Sequence, residues 1–237
     1  MELPYQNRVE AGRVLAAALK SCAGRRDLLV LALPRGGVPV AAVIAEALAA
    51  ELDLMLVRKL GLPRHPELAM GAIASGGIRV LNEDLIAKRR IPGDIIERVT
   101  MQEQNELQRR LRLYRGDRSE PVIAGREIIL VDDGLATGAT MRAAVAALRR
   151  GNPVSIIVAV PVAPPDTVAE LGQEVDNIVC PATPPSFFGV SRWYQDFSQT
   201  EDAEVKSLLS RAWKARPIDV QQGYALTFER ANSAPVP

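Results

Sequence analysis

The sequence predicts an α/β fold, in which a parallel sheet of about five strands is flanked by helices. Two observations favour it. Runs of strand length, such as Asp27 to Leu33 (DLLVLAL), are apolar almost throughout, and they alternate with helical segments along the chain. Strands without a polar face are typical of a parallel sheet that is buried between two layers of helices.

The first part of the chain predicts two helices and two strands. In residues 7 to 21, Val9, Leu15 and Leu19 recur at helical spacing. The strand Asp27 to Leu33 follows and runs into the turn PRGG. An alanine-rich helix at Val38 to Ala50 and a second apolar strand at Leu52 to Val57 come next, and the segment RKLGLP is then expected to form a loop.

The middle of the chain predicts a hairpin and a long helix. The segment Ala69 to Leu81 contains Gly76-Gly77, which can supply the positive φ of a hairpin turn. In the charged segment Ile95 to Tyr114, Glu106 lies four residues before Arg110, a spacing that supports a helix. The remaining elements are strands at Glu127 to Val131, Val154 to Val160 and Val175 to Cys180, and helices at Ala139 to Arg150, Pro165 to Leu171 and Glu201 to Trp213.

Length and composition set the class of protein. The 237 residues suffice for one substantial domain, which we place at residues 1–215, with a tail at 216–237 that is mixed in Pro, Gln, Asn and Ser. With 29 Lys+Arg against 28 Asp+Glu the net charge is +1, so we expect no nucleic-acid partner. Cys22 and Cys180 form no CxxC pair, and no apolar run approaches the roughly 20 residues that span a bilayer. A cytoplasmic protein without a membrane partner is expected.

The most informative segment is Ile128 to Thr140, IILVDDGLATGAT. An apolar strand ends in two carboxylates and passes into a small, hydroxylated loop that precedes a helix. Backbone amides at a helix start can surround a phosphate, while Asp132 and Asp133 suit sugar hydroxyls or magnesium. A phosphate beside a vicinal diol describes a ribose 5-phosphate. The alternative is an ordinary turn with a solvated acidic pair.

Two further loops follow strands at the same predicted edge of the sheet. In PRGG, Arg35 can bind a phosphate while Gly36 and Gly37 allow close backbone approach; the alternative is a plain turn. In RKLGLP, Arg58 and Lys59 would repel each other unless an anion joined them; the alternative is a solvated surface pair. Ligands of parallel sheets bind at the carboxyl ends of strands, so we expect the three loops to gather there.

These three motifs, in this order, resemble those of the type I phosphoribosyltransferases. The segment IILVDDGLATGAT is similar to that family's phosphoribosyl pyrophosphate signature, PRGG to its pyrophosphate loop, and RKLGLP to its Arg-Lys segment. The resemblance covers roughly residues 7 to 210. It is strongest to an uncharacterised branch called predicted phosphoribosyltransferases.

The resemblance implies a role for each motif. Asp132 and Asp133 would hold the ribose hydroxyls, directly or through magnesium, the cofactor that the family uses. Arg58 and Lys59 would neutralise the leaving pyrophosphate, in some relatives from the neighbouring subunit of a homodimer. The pyrophosphate would bind Arg35, Gly36 and Gly37, in a loop expected to hold a non-proline cis peptide. The 5-phosphate would bind Gly134, Leu135, Ala136, Thr137, Gly138, Ala139 and Thr140.

The resemblance also implies a reaction and a mobile cover. Pyrophosphate would be displaced at ribose C1 through an oxocarbenium-like transition state, which needs stabilisation of the leaving charge. The hairpin Ala69 to Leu81 would close over the ribose. One departure is Ala136, which stands where many purine-salvage members carry an acid. A purine handled by that carboxylate is therefore not expected.

A hood at about residues 183–200 is the candidate acceptor site. Its segment FFGVSRWYQDF is dense in aromatic residues, which suit stacking on a planar ring. The alternative is a satellite core that pins the C-terminal helix. The sole histidine, His65, is expected to be an exposed loop residue. The acceptor candidates are Phe187, Phe188, Arg192, Trp193 and Tyr194.

The sequence therefore predicts a magnesium-dependent phosphoribosyltransferase that acts on a nucleobase or a similar nitrogen heterocycle. The alternative is a phosphoribosyl pyrophosphate-binding sensor or regulator without catalysis. A non-catalytic partner subunit is a third, weaker possibility, and it would not bind the sugar phosphate.

Overall fold

The computed structural model describes residues 3–63 and 65–215. Its central feature is a five-stranded parallel sheet in the order β2-β1-β6-β7-β8, and a second, antiparallel sheet has the order β3-β4-β5. The predicted tail at 216–237 lies outside the described residues, and the boundary at residue 215 stays a prediction. The strands are β1 (Leu28–Ala32), β2 (Glu51–Leu54), β3 (Val57–Leu62), β4 (His65–Ala74), β5 (Ile78–Leu81), β6 (Glu127–Val131), β7 (Ser155–Ala159) and β8 (Asn177–Val179).

Helices cover both faces of the central sheet, as predicted. Alternate residues of β1 face opposite ways: Val30 belongs to one core cluster, with side chains of α1, α2, α4 and α7, and Leu31 to another, with side chains of α5 and α6. No helix in the described part of the chain is long and apolar enough to cross a membrane. The helices are α1 (Arg8–Ala18), α2 (Gly37–Leu48), α3 (Glu83–Arg89), α4 (Gly93–Arg115), α5 (Ala139–Arg150), α6 (Pro165–Leu171) and α7 (Asp202–Ala215).

The second sheet corrects two predicted boundaries. The strand predicted at Leu52 to Val57 is divided, because β2 ends at Leu54 and Val57 opens β3 in the other sheet. The segment RKLGLP is therefore a strand and not a loop. The sequence pattern did not predict a strand here, because the segment contains charged residues. Strand β3 is stabilised by antiparallel pairing with β4 and not by burial of both faces.

The predicted hairpin is confirmed, with β4 and β5 as its antiparallel arms. Gly76 and Gly77 have φ of 81° and 70° at the turn, a conformation that favours glycine. The first arm begins at His65 and is longer than predicted. The short helix α3, which follows the hairpin, was not predicted. The mobility of the hairpin stays a prediction.

A buried ion pair joins β2 to the end of α4. Arg115 donates from Nε to Oδ1 of Asp53 over 2.9 Å and from Nη2 to the Leu54 carbonyl over 2.9 Å. The two side chains are 3% and 0% exposed. Removal of one partner would leave the other charge uncompensated in the interior.

We expect Arg115→Met to lower the free energy of unfolding by about 3–5 kcal/mol, because it strands the Asp53 carboxylate. Urea unfolding followed by circular dichroism measures the change. Arg112→Met is the matched control, since Arg112 is exposed on the same helix and its loss should cost within about 0.5 kcal/mol. Equal stability of the two variants would contradict the structural role of the ion pair.

Candidate functional site

The first and third predicted loops leave the same edge of the central sheet side by side. Strands β1 and β6 are parallel neighbours, with Ala32 opposite Val131. Immediately beyond them, the amide of Leu33 donates to the Val131 carbonyl over 2.9 Å. The segments PRGG and DDGLATGAT therefore begin in contact with each other.

Two glycines allow this contact. A Cβ atom at Gly36 would lie 2.0 Å from Oδ2 of Asp133, and one at Gly37 would lie 2.7 Å from the Val131 carbonyl oxygen. Side chains do not fit at such distances, so the backbone itself packs on the acidic pair. The peptide between Pro34 and Arg35 is cis, which confirms the non-proline cis peptide expected in this loop.

The two carboxylates of the pair lie in different surroundings. Oδ1 of Asp132 accepts a hydrogen bond from the Asp133 amide over 2.8 Å, while Oδ2 of Asp133 accepts one from Nε of Arg8 over 2.8 Å. Burial raises the pKa of Asp132 well above its usual range, and the charge of Asp133 adds to this effect. Burial also raises the pKa of Asp133, against the lowering effect of Arg8.

The loop 134–140 presents its backbone amides at the start of α5. Gly134 and Gly138 have φ of 155° and 69°. Neighbouring elements fix the loop, because Thr167 donates to the Ala136 carbonyl over 2.9 Å and the Leu135 amide donates to the Val162 carbonyl over 3.0 Å. Among the described residues, the amides of residues 136–141 have no acceptor. Such amides, together with the positive end of the α5 dipole, form a cradle suited to an anion.

Arg35 lies at the rim of this site, and an ion pair joins it to the C-terminal helix α7. Its Nη1 is 3.6 Å from Oδ1 of Asp202, on α7, and the Tyr114 hydroxyl of α4 donates to the same oxygen over 2.7 Å. Burial and the Asp202 carboxylate raise the pKa of Tyr114 to about 12, so its hydroxyl remains a donor at neutral pH. The Arg35 side chain is 34% exposed and can reach a ligand.

Arg58 and Lys59 do not form the paired cationic loop that the sequence predicted. They are consecutive residues of β3, so their side chains point to opposite faces of that sheet. Arg58 donates from Nε to Glu103 of α4 over 2.7 Å, while Lys59 is exposed. Glu103 precedes Tyr114, the residue near Arg35, by eleven positions, or about 16 Å along a helix. The structure thus does not bring Arg58 beside Arg35 within one chain.

The hood places its aromatic residues in two groups. Tyr194 is buried against Tyr5 and Phe197, and its hydroxyl donates to the Asp133 carbonyl over 2.7 Å. Phe187 stacks on Trp193 with ring centroids 6.3 Å apart. Phe188 is 80% exposed, with the Arg192 guanidinium 5.5 Å from its ring. The acceptor role of these residues stays a prediction. Tyr194 does belong to a small core, with Tyr5 and Ala11, but among the described residues this core includes no side chain of α7, the helix that the alternative would pin.

Sequence reasoning missed Arg8, which is 125 positions from its partner Asp133. It also missed Glu103 and Asp202, the carboxylates that hold Arg58 and Arg35. A local pattern gives no sign of such pairs, because each residue looks like one more charge on an exposed helix. His65 is exposed, as predicted, but it begins strand β4 and does not lie in a loop.

The acidic pair is the only candidate for magnesium that the sequence predicted. The described residues contain no group of three or more His, Cys, Asp or Glu side chains that could hold a metal. Two carboxylates do fit Mg²⁺ when a phosphate ligand and water supply its other oxygens, which is how this ion usually binds.

Several known proteins resemble this chain over most of its length. Residues 5–191 match the model of the "Phosphoribosyl transferase domain" family. The chain is 44% identical over 208 residues to "Putative phosphoribosyl transferase Rv0571c" and to "Putative phosphoribosyl transferase MT0597", both of Mycobacterium tuberculosis. These matches cover 88% of this chain and 47% of each relative, so the chain spans about half the length of those proteins. The crystal structure of TT1426 from Thermus thermophilus is 39% identical, with a TM-score of 0.79, covering 87% of this chain and 98% of that one.

We expect Gly36→Ala to destabilise the protein by about 1–3 kcal/mol, because the new methyl group must displace the Asp133 carboxylate. Urea unfolding measures the change. Gly93→Ala is the matched control, since a Cβ at Gly93 meets nothing within 4 Å. A Gly36→Ala protein as stable as the Gly93→Ala protein would show that the loop does not pack on the acidic pair.

Proposed function

Because the chain belongs to the phosphoribosyl transferase family, we propose that it transfers the 5-phosphoribosyl group of phosphoribosyl pyrophosphate to a nucleobase or a similar nitrogen heterocycle. Pyrophosphate is the second product. The single observation that carries the proposal is the packing of Gly36 and Gly37 on Asp132 and Asp133, beside the amides of residues 136–141. This arrangement suits a ligand that carries a phosphate, a vicinal diol and a diphosphate in close succession.

Each part of the site has one task in the proposed reaction. The amides of the loop after β6 and the hydroxyls of Thr137 and Thr140 bind the 5-phosphate. The acidic pair accepts hydrogen bonds from the ribose hydroxyls. Arg35 and the backbone of Gly36 and Gly37 bind the diphosphate. Magnesium, when bound by the acidic pair and the substrate, supplies positive charge that stabilises the leaving group.

The bond changes require charge stabilisation more than a strong nucleophile. The bond from ribose C1 to the diphosphate oxygen breaks, and the diphosphate leaves with the electron pair. A bond forms from an acceptor nitrogen to C1, and the proton of that nitrogen passes to solvent or to a carboxylate. With Ala136 in place of an acid, the acceptor's own acidity contributes to this last step.

We propose a homodimer as the active form. Within one chain Arg58 is held by Glu103 and set apart from Arg35, so the leaving group lacks the cations that the motif would provide. A second copy that brings its Arg58 or Lys59 to this site would complete the stabilisation. The acceptor would bind beside the exposed Phe188 and Arg192, whose ring and guanidinium suit a planar heterocycle.

The separation of Arg58 from Arg35 also favours the second candidate function. A chain in which Arg58 does not join Arg35 beside the diphosphate would still bind phosphoribosyl pyrophosphate at the acidic pair and the cradle. It would then act as a sensor or regulator of that metabolite without turnover. The release of pyrophosphate across a panel of nucleobases distinguishes the enzyme from the sensor.

We expect phosphoribosyl pyrophosphate to bind with micromolar affinity in the presence of magnesium and at least about tenfold more weakly without it, the ratio that corresponds to about 1.4 kcal/mol. Calorimetric titration measures both constants without knowledge of the acceptor. Asp132→Asn should remove the magnesium dependence, whereas Asp166→Asn, on α6, should not. Absence of binding to the unmodified protein under both conditions would overturn the proposed function.

We expect variants Arg58→Met and Asp132→Asn to be inactive alone and to regain activity when mixed, because a mixed dimer contains one intact site. Random exchange of subunits predicts about a quarter of the unmodified activity. Pyrophosphate release measures it after co-refolding. An active Arg58→Met protein would show that Arg58 takes no part in either chain. Inactivity of the mixture would show that both residues act in one chain's site.

A further inference from the structure

Three parts of the chain contact Asp133, two of them at its carboxylate. Arg8 of α1 donates to its Oδ2 over 2.8 Å, and the backbone of Gly36 packs against the same oxygen. From the hood, Tyr194 donates to the Asp133 carbonyl over 2.7 Å. The Asp133 side chain is only 14% exposed. This carboxylate is therefore held in one orientation by protein groups.

The neighbouring Asp132 is held at one oxygen only. Its Oδ1 accepts the hydrogen bond from the Asp133 amide. Within the described residues, this is the only hydrogen bond to the Asp132 side chain, and Oδ2 accepts none. The two acids of the motif thus differ in their partners: the Asp133 carboxylate pairs with a cation of α1, whereas the Asp132 carboxylate accepts only a backbone amide and keeps one oxygen available to a ligand.

Arg8 occupies a position that helix electrostatics disfavour. Asn7 caps α1, and its side chain accepts from the amides of Val9 and Glu10, so Arg8 is the first helical residue. A cation there meets the positive end of the helix dipole. Its side chain is nevertheless only 11% exposed, and its guanidinium lies 4.0 Å from the Phe197 ring centroid and donates to the Ser198 carbonyl. The Asp133 carboxylate compensates this buried charge.

Close helix packing fixes Arg8 relative to the glycine loop. Gly12 lies one turn after Arg8 on the same face of α1, and a Cβ there would be 2.9 Å from the Val40 carbonyl of α2. Helix α2 begins at Gly37. The helix pair therefore carries both the cation and the glycines that surround Asp133.

We propose that Arg8 is a positioning residue for the sugar site: it holds Asp133 so that Asp132 presents its free oxygen to the ribose hydroxyls. The inference rests on the proposed function, because the ligand it concerns is the ribose of phosphoribosyl pyrophosphate. Arg8 does not touch that ligand in this role. Its effect passes through the Asp133 carboxylate.

The test is a double-mutant cycle read as binding constants. Arg8→Met should raise the Kd for phosphoribosyl pyrophosphate about tenfold or more, since it strands a buried carboxylate. The Kd for inorganic phosphate, which needs only the cradle, should stay within about twofold. In an Asp133→Asn background, Arg8→Met should raise the Kd for phosphoribosyl pyrophosphate by less than about twofold. The carboxylate through which Arg8 acts is already absent from that protein.

Two further variants complete the design. Arg8→Lys keeps the charge but loses the planar guanidinium, so an intermediate Kd is expected, and this variant serves if Arg8→Met does not fold. Arg13→Met, at an exposed position of the same helix, is the matched control and should leave both constants unchanged. Urea unfolding of each protein shows separately how far its stability has changed.

The measurements distinguish a failure of the positioning role of Arg8 from a failure of the proposed function. If the unmodified protein binds the ligand and the Arg8 variants bind it as the Arg13→Met protein does, the positioning role is wrong and the proposed function stands. The positioning role is also wrong if Arg8→Met weakens the binding of inorganic phosphate as much as that of phosphoribosyl pyrophosphate. It is wrong as well if the effects of Arg8→Met and Asp133→Asn on the Kd are fully additive. If the unmodified protein does not bind phosphoribosyl pyrophosphate, both proposals fall.

Discussion

The contact between the loop after β1 and the acidic pair after β6 determines the rest of the site. Because a Cβ at Gly36 would lie 2.0 Å from Oδ2 of Asp133, the two loops meet at backbone distance. This contact requires β1 and β6 to be direct neighbours in the sheet. It also sets the place of α2 and α5, whose first turns follow the two loops. The positions of the loop amides, the acidic pair and Arg35 are consequences of one close approach.

The parts of this arrangement that the sequence predicts correctly have local causes. Fully apolar strands require two covering layers, and the central sheet has them. Glycines that must allow positive φ or backbone contact stand out in any pattern, as Gly76 and Gly36 do. The loops after β1 and β6 follow because ligand-binding residues of parallel sheets lie at the carboxyl ends of the strands.

The parts that the sequence does not predict depend on partners far away along the chain. Strand β3 has charged residues and takes its conformation from pairing with β4. Arg8 gains a role only where folding brings α1 to Asp133. Arg58 looked like part of a cationic loop, yet the strand conformation turns its side chain away from that of Lys59. Tertiary pairing therefore decided these three cases.

The pairing of β1 with β6 also determines when the central sheet can form during synthesis on the ribosome. Leu28 of β1 pairs with Glu127 of β6, which lies about 100 positions later in the chain. Strand β1 therefore cannot pair with β6 until that later segment has been synthesised. Until then β1 and β2 present an apolar strand edge of the kind that chaperones cover. A phosphate ligand could not assist folding before the residues after Val131 have emerged, because the amides of residues 136–141 do not yet exist.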